Sequence, residues 1–567
     1  MIPALVALVA LWAVVAGWLL VGVGSSLDAG RDRLEVVRVG ATPTSLLDDE
    51  TDAALGHAGD DFGRARSRLR NPILTPLRAL PVAGRQVRAL DRVVATSRAV
   101  TDLAADGVAD LREVTERPLE AGPERVAVLE DLSALAARTG DDLAALDPGS
   151  PDALVGPLAD GVDDLASELE ESRASLTRGA RAAESVADLL EGPTPYLLIG
   201  ANNAEMRAGS GMFLSAAPLD FDAGRLDLGE VRPTETLVLP EGAVPVGGDL
   251  DANWPWLDPA RDLRNVALSV DFPQVAPVAA ANWAQVPGGG EVGGIIVVDV
   301  DAVRSLLEVV GPVEVDGITY REDTVRSELL GAQYARFGEE PEERRDQLGE
   351  VARAIFDRID AGEWELDELA TSLLDVVARR HLLIWSSDPE VQEAWETTGV
   401  DGALDERSVS VGMLNRAAQK LDVSMATEAT LDSEPLDDGR LAVDLRYQVA
   451  NRAPGRGPTY QVGPNIDGLE VGEHRGIVVV NLPAGATDVE LNGARQTLLG
   501  TDGPTTVVAG EVALLRGEEV EVQVRAVLPE GIDEVTIEAS ARIPRTQWTV
   551  NGRAFETERR RTVDLAG

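Results

Sequence analysis

From Ile2 to Val23 the chain reads IPALVALVALWAVVAGWLLVGV, 22 residues without a charge. As a helix this run is about 33 Å long, enough for the hydrocarbon core of a bilayer. A cleaved signal peptide is the alternative, but its apolar part usually has only about 7–15 residues and follows positive charge. Nothing basic precedes Ile2, so the expectation is a transmembrane helix or signal anchor over 2–23. Trp12 and Trp18 fall at different depths and form no interfacial belt. Arg31, Arg33 and Arg38 follow the run, and the positive-inside rule alone would keep the body in the cytoplasm. Topology therefore turns on what the body is.

Between Trp18 and Tyr196 the only aromatic residue is Phe62, and Ala, Leu, Asp and Arg dominate. Leu158, Val162, Leu165, Leu169, Ser172, Leu176, Gly179, Ala183, Val186 and Leu190 recur four and three residues apart, a heptad seam. Weaker helical periodicity runs through Val87, Leu90, Val94 and Leu103 and again through Leu129, Leu132 and Leu135. Pro118, Gly122, Pro123, Pro148 and Pro151 punctuate these stretches. Residues 28–190 are expected to form a helical stalk or bundle with coiled-coil character. The other reading of the stripe is a groove for lipid or a partner.

After Gly192-Pro193 short β-like runs alternate with helical ones. Tyr196 to Gly200 reads as a strand, and Asp222-Ala223-Gly224 as the turn of a hairpin. GIIVVDV from Gly294 to Val300 has the continuous apolar character of a strand covered on both faces, with Asp301 a candidate helix cap. Helical patterns follow over about 322–337, 342–359 and 366–377. An α/β core is expected over 191–420. From about Leu421 alternating runs and the Asn551-Gly552 turn predict a β-sandwich over 421–567. The fold class is thus multidomain: membrane helix, helical stalk, α/β core and C-terminal β-sandwich.

Acidic residues number 97 against 51 Lys plus Arg, a net charge of −46 that repels phosphate backbones and disfavours nucleic acid. Lys420 is the only lysine. There is no cysteine, which removes disulfide scaffolds, thiolate catalysis and Cys-ligated metals. His57, His381 and His474 fall in three different predicted domains, so no metal centre is expected. His381 reads as a strand-edge residue. No Gly-x-Ser-x-Gly elbow, Walker loop or zinc-protease helix is present.

Arginines and amides do stand together. Asn202-Asn203-Ala204-Glu205-Met206-Arg207-Ala208-Gly209-Ser210-Gly211 follows the first strand, and Arg336, Arg344 and Arg345 come later. Guanidinium groups bind phosphate bidentately, and amides and glycine backbone can complete an anion site. The competing reading is a set of buried Arg–carboxylate pairs, easily formed in so acidic a chain. The candidate ligand residues are Arg207, Arg336, Arg344, Arg345, Asn202 and Asn203; no catalytic residue is assigned.

At these positions the sequence resembles a known family. YLLIGANNAEMRAGSGMFLSAAPLDFDAGRLDLGEVRP, DFPQVAPVAAANWAQVPGGGEVGGIIVVDVDAVRSLLEVVGPVEVDG, YARFGEEPEERRDQL and ARRHLLIWSSDPEVQEAW look like the bacterial envelope-associated family of domain of unknown function 4012, over about residues 190–420. NPILTPLRALPVAGRQVRALD at 71–91 is similar to the N-terminal part of these membrane-anchored proteins. The family carries no established activity. A more distant resemblance links Arg207–Met212, VVDVDAVRSLLEVVGPVEVDG and YARFGEEPEERRDQL to the LytR-CpsA-Psr glycopolymer transferases. That resemblance implies that Arg207, Arg336, Arg344 and Arg345 hold pyrophosphate. Ser210 or Gly211, however, stands where those enzymes have a metal-binding Asp, which argues against Mg²⁺-assisted transfer.

Together these resemblances imply a single-pass cell-membrane protein with an extracytoplasmic body. The expected role is an accessory or ligand-binding factor in envelope glycopolymer assembly, taking a polyprenyl pyrophosphate or similar anion. The alternatives are a LytR-CpsA-Psr-type transferase, a phosphotransferase-type enzyme that would use Mg²⁺, and a non-catalytic scaffold binding partner proteins through stalk and sandwich.

Overall fold

In this computed structural model residues 2–40, 42–337 and 341–565 are described, with side chains at 2–11, 13–14, 39–40 and 341–347 left out. The chain divides into two compact units. One comprises residues 1–119, 124–188 and 365–371, the other 120–123, 189–364 and 372–567.

The first unit is helical. Its long helices are Ile2–Gly40, Asp49–Leu69, Pro81–Thr115, Pro123–Ala144 and Gly156–Glu191, the last of which continues to the boundary of the unit. The cluster around Phe62, with that one aromatic ring, must be built by close approach of small residues. Phe62 accordingly packs with Val23, Ala58, Ala65, Val87 and Val94. Gly30 leaves room for it, since a Cβ there would lie 2.7 Å from the Phe62 ring. Asp61 is buried beside them, tied to Arg33 at 3.0 Å and to Arg64. Helix Gly156–Glu191 carries the whole heptad seam but buries only Val162, Ala180, Ser185 and Ala187; its leucines are half-buried.

Within the expected membrane run, Ala16, Leu19 and Val23 are buried, whereas Trp18 and Val21 are each 73% exposed. Trp12 donates from Nε1 to the Ile73 carbonyl at 2.8 Å. Among the described residues no helix is long and apolar enough to cross a membrane. The side chains of residues 2–11, 13 and 14, about half of the run in which a span was expected, lie outside the described ones.

The second unit contains several mixed sheets. The first has strand order Arg225–Leu228, Gly211–Asp222, Thr194–Met206, Gly294–Val298, Leu382–Ser386. Its central pair, Tyr196↔Gly294 to Gly200↔Val298, is parallel and the flanking pairs are antiparallel. Alternation decides its faces: Leu197, Ile199, Ile295 and Val297 pack under helix Phe272–Gln285. Tyr196, Leu198, Ile296 and Val298 meet Leu219 and Phe221 on the opposite face, with Phe356 of helix Pro341–Ala361. The Asp222–Gly224 turn forms as expected, with positive φ at Ala223 and Gly224. The cap of helix Val300–Val310 is Asp299, which accepts from the backbone N–H groups of Asp301 and Ala302; the expected Asp301 instead pairs with Arg326, Arg379 and His381.

Two six-stranded sheets make the sandwich. Leu445, Tyr447, Val449, Val522 and Val524 of one meet Val411, Met413, Val478, Val480 and Val508 of the other in a shared core. Strand Ser408–Asn415, read from sequence as part of the α/β core, lies inside the second sheet between His474–Leu482 and Glu534–Ile537. All eight of its residues are buried, because the outer face of that sheet packs on Ala208, Trp254, Leu257, Leu268 and Val270.

Candidate functional site

The first strand breaks its ladder where the amides begin. Pairing with Gly211–Asp222 shifts register between Gly200 and Ala201, and again between Asn202 and Met206. Such a bulge re-aims side chains. Asn202 accepts from the Ala204 N–H at 2.8 Å and donates to the Tyr334 hydroxyl at 3.0 Å. Asn203 points elsewhere, donating at 2.7 Å to Asp299 and at 2.8 Å to the Ala541 carbonyl. The glycines after the bulge serve close packing. A Cβ on Gly211 would lie 2.6 Å from the Asn202 backbone, and one on Gly209 would run into the Ser269 carbonyl oxygen.

Beneath the bulge opens a cavity of about 590 Å³. One part is apolar, lined by Leu198, Leu214, Val303, Leu330, Val351 and Ile355 among others. The rest of the lining is polar and includes Arg207, Arg264, Arg416 and Lys420 with Glu205, Glu235, Asp262 and Asp299. Tyr334 and Tyr460 also line it, ring centroids 5.8 Å apart.

Arg207 is 5% exposed and spends its donors on the chain itself. Nε reaches the Arg264 carbonyl at 3.0 Å, Nη1 the Met206 and Asn415 carbonyls at 3.2 and 3.3 Å, and Nη2 the Asn265 amide oxygen at 3.1 Å. Burial lowers its pKa to about 10, with Glu205 opposing, so it stays charged at neutral pH. Lys420 is ion-paired to Glu205 and lies 5.2 Å from the Tyr460 ring. Burial opposes the ammonium, but Glu205 and the two tyrosines outweigh it and raise the pKa. Arg264 is paired to Asp262 at 2.6 Å. Arg416 stacks on Trp256, 4.8 Å from the ring centre.

Of the residues singled out from sequence, Arg207 and Asn202 line the cavity and Asn203 and Arg336 do not. Arg336 pairs with Glu328 at 2.7 Å. Arg344 and Arg345 belong to helix Pro341–Ala361, and their side chains lie outside the described ones. Ser210, aligned with a transferase metal ligand, is buried and donates to the Gly211 carbonyl at 3.0 Å. Among the described residues no group of three or more acidic or histidine side chains is placed to hold a metal. His381 sits at the edge of strand Leu382–Ser386, with Nδ1 2.6 Å from Asp299. Burial opposes its charge, yet Asp299 and Asp301 raise its pKa.

Sequence reading passed over Arg264, Arg416, Tyr460 and Lys420 as site residues. Only Lys420 left a signal, as the single lysine of an arginine-rich chain. In chemical terms the arrangement suits an amphiphile, with an apolar part against the aliphatic wall and a polar head among the cations.

No curated protein and no solved structure matches the chain, so the resemblance to the LytR-CpsA-Psr transferases is not shown by these comparisons. Residues 191–334, which supply the bulged strand, Arg207, Arg264 and much of the apolar wall, match the family described as Protein of unknown function (DUF4012).

Proposed function

We propose that the chain is a membrane-anchored envelope protein that binds an amphiphile with an extended apolar chain and an anionic head. A polyprenyl pyrophosphate is the reference ligand, and the role is accessory to glycopolymer assembly. The observation that supports this is one cavity whose lining combines aliphatic side chains with Arg207, Arg264, Arg416 and Lys420. A binder needs only this complementarity; a transferase also needs a group to stabilise the leaving phosphate. The mixed sheet layered between helices serves as the α/β core of the LytR-CpsA-Psr kind, with residues 2–23 as a single-pass anchor and the body outside the membrane.

Calorimetry of the full-length protein with farnesyl pyrophosphate, with and without Mg²⁺, tests the binding. Metal-independent affinity that Val351→Trp abolishes is expected. Affinity or turnover that requires Mg²⁺ would move the assignment to a transferase. No binding at all would leave the scaffold reading, which the pairing of Lys420 with Glu205, Arg264 with Asp262 and Arg336 with Glu328 favours. Protease added to intact spheroplasts should digest the body; protection until lysis would place it in the cytoplasm instead.

A further inference from the structure

Four carboxylates, Glu205, Glu235, Asp262 and Asp299, line the cavity beside its four cations, yet two of those cations have no ion-pair partner among the described residues; Asp299 is engaged by Asn203 and His381. Glu205 is taken by Lys420 and Asp262 by Arg264. Arg207 is hydrogen-bonded to three carbonyls and an amide, none of them charged. Arg416 makes no ion pair among the described residues and rests on Trp256. The acid whose field acts on Arg416 is Glu511, itself paired to Arg495. Two guanidinium groups therefore share the lining of one cavity without an ion-paired carboxylate among the described residues, and the field of Arg416 opposes the charge on Arg207, which Glu205, Asp422 and Asp262 offset only through space. Holding like charges together in a partly desolvated site is costly unless an anion completes it. That this occurs in a chain of net charge −46, where acids are abundant, makes the omission specific.

We infer that the polar part of the cavity is a subsite for a dianionic phosphate head, with Arg416 as the contacting cation and Arg207 as the fixed charge behind it. The remaining Nη2 hydrogen of Arg207 and the unused Nη1 of Arg264 complete the donor set. Two guanidinium groups without a direct ion pair match a phosphate monoester or a diphosphate better than a carboxylate or a phosphodiester. This rests on the amphiphile reading of the cavity and adds the identity of the head.

The test uses full-length protein in a bulky non-ionic detergent. Dodecyl phosphate, dodecanoate, dodecanol and inorganic phosphate are titrated at pH 5.5 and pH 8. A phosphate monoester loses its second proton near pH ~6, so dodecyl phosphate should bind several-fold tighter at the higher pH and dodecanoate should not. Arg416→Gln should weaken dodecyl phosphate about 10- to 100-fold, as expected for loss of one charge-assisted contact. It should also remove the pH gain and leave dodecanol unchanged, while Arg416→Lys should retain the gain. Arg207 staples three backbone carbonyls, so its variants are read only alongside an unchanged melting temperature. Equal affinities of phosphate and carboxylate, unmoved by Arg416→Gln, would overturn the dianion subsite and leave the cavity reading standing. Inorganic phosphate binding as tightly as dodecyl phosphate would keep the subsite and overturn the amphiphile. Failure of every dodecyl probe and of phosphate would overturn both.

Discussion

The helical unit and the sandwich bury charge in opposite ways. Asp61 of the helical unit is buried, but its partners Arg33 and Arg64 are 45% and 54% exposed. In the sandwich Asp422, His474 and Arg542 are all fully buried, and Asp422 also accepts from Asn415 at 2.6 Å and from the Met206 N–H at 3.1 Å. Burial works against the Asp422 carboxylate, yet His474, Arg542 and Asn415 together hold its pKa below the ordinary value. Where one partner reaches water, an ion pair can be lost at small cost; where none does, each member depends on the others.

The comparison would break first at Asp422. Asp422→Ala strands two buried bases and should cost about 3–5 kcal/mol, against about 1 kcal/mol for Asp61→Ala. Urea unfolding of the two variants measures the gap, and equal losses would refute the contrast. Apolar packing should follow the same division. Leu445 is fully buried, so Leu445→Ala should cost about 2–5 kcal/mol. Leu165→Ala on the half-buried heptad seam should cost about 1 kcal/mol by lost area. A Leu165 effect as large as that of Leu445 would mean the seam is covered in solution.

Acidity sharpens the contrast within the second unit. Burial raises the pKa of Asp502 although Ser269 and Asn481 donate to it. An acid whose folded pKa exceeds its unfolded value of about 3.9 holds its proton more tightly when folded. Its contribution is therefore greatest at low pH and declines as pH rises toward the folded value. Asp422 has the opposite sign: its contribution is present above the unfolded pKa and is lost as pH falls through the lower folded one. Asp502→Asn should flatten the decline in stability above about pH 4, read as urea midpoints at pH 4, 6 and 8. An unchanged slope would mean that Asp502 reaches solvent. The smallest effect belongs to Arg31, which pairs at 3.5 and 3.1 Å with the exposed Asp164 and Glu168. Arg31→Ala should shift stability by less than about 1 kcal/mol.

Local periodicity made the long helices, the Tyr196 strand, the Asp222–Gly224 turn and the Asn551-Gly552 turn legible, because each depends on residues near one another in sequence. Strand Ser408–Asn415 was not: SVSVGMLN owes its position to two faces supplied from distant segments, and Ser410 is satisfied by the neighbouring strand of its own sheet, donating to Asn481 at 3.0 Å. The site was legible only through Arg207 and Asn202. Arg264 and Tyr460 sit on single helical turns and Arg416 just past a strand, three short segments that no spacing rule connects. Arg336 looked like a site residue because basic character is visible in sequence, whereas the Glu328 that occupies it is identified only by folding.

The strand buried on both faces also governs how the protein can be divided. Asn415, Arg416, Ala418 and Lys420 follow directly from it into the cavity wall, so the C-terminal sheets act as the anvil on which these lining residues are set. A fragment ending near residue 420 would keep those residues but lose the partner strands that hold them in register. The sandwich is thus no modular appendage that recombination could exchange freely; a graft would have to bring its own version of the cavity's cationic edge.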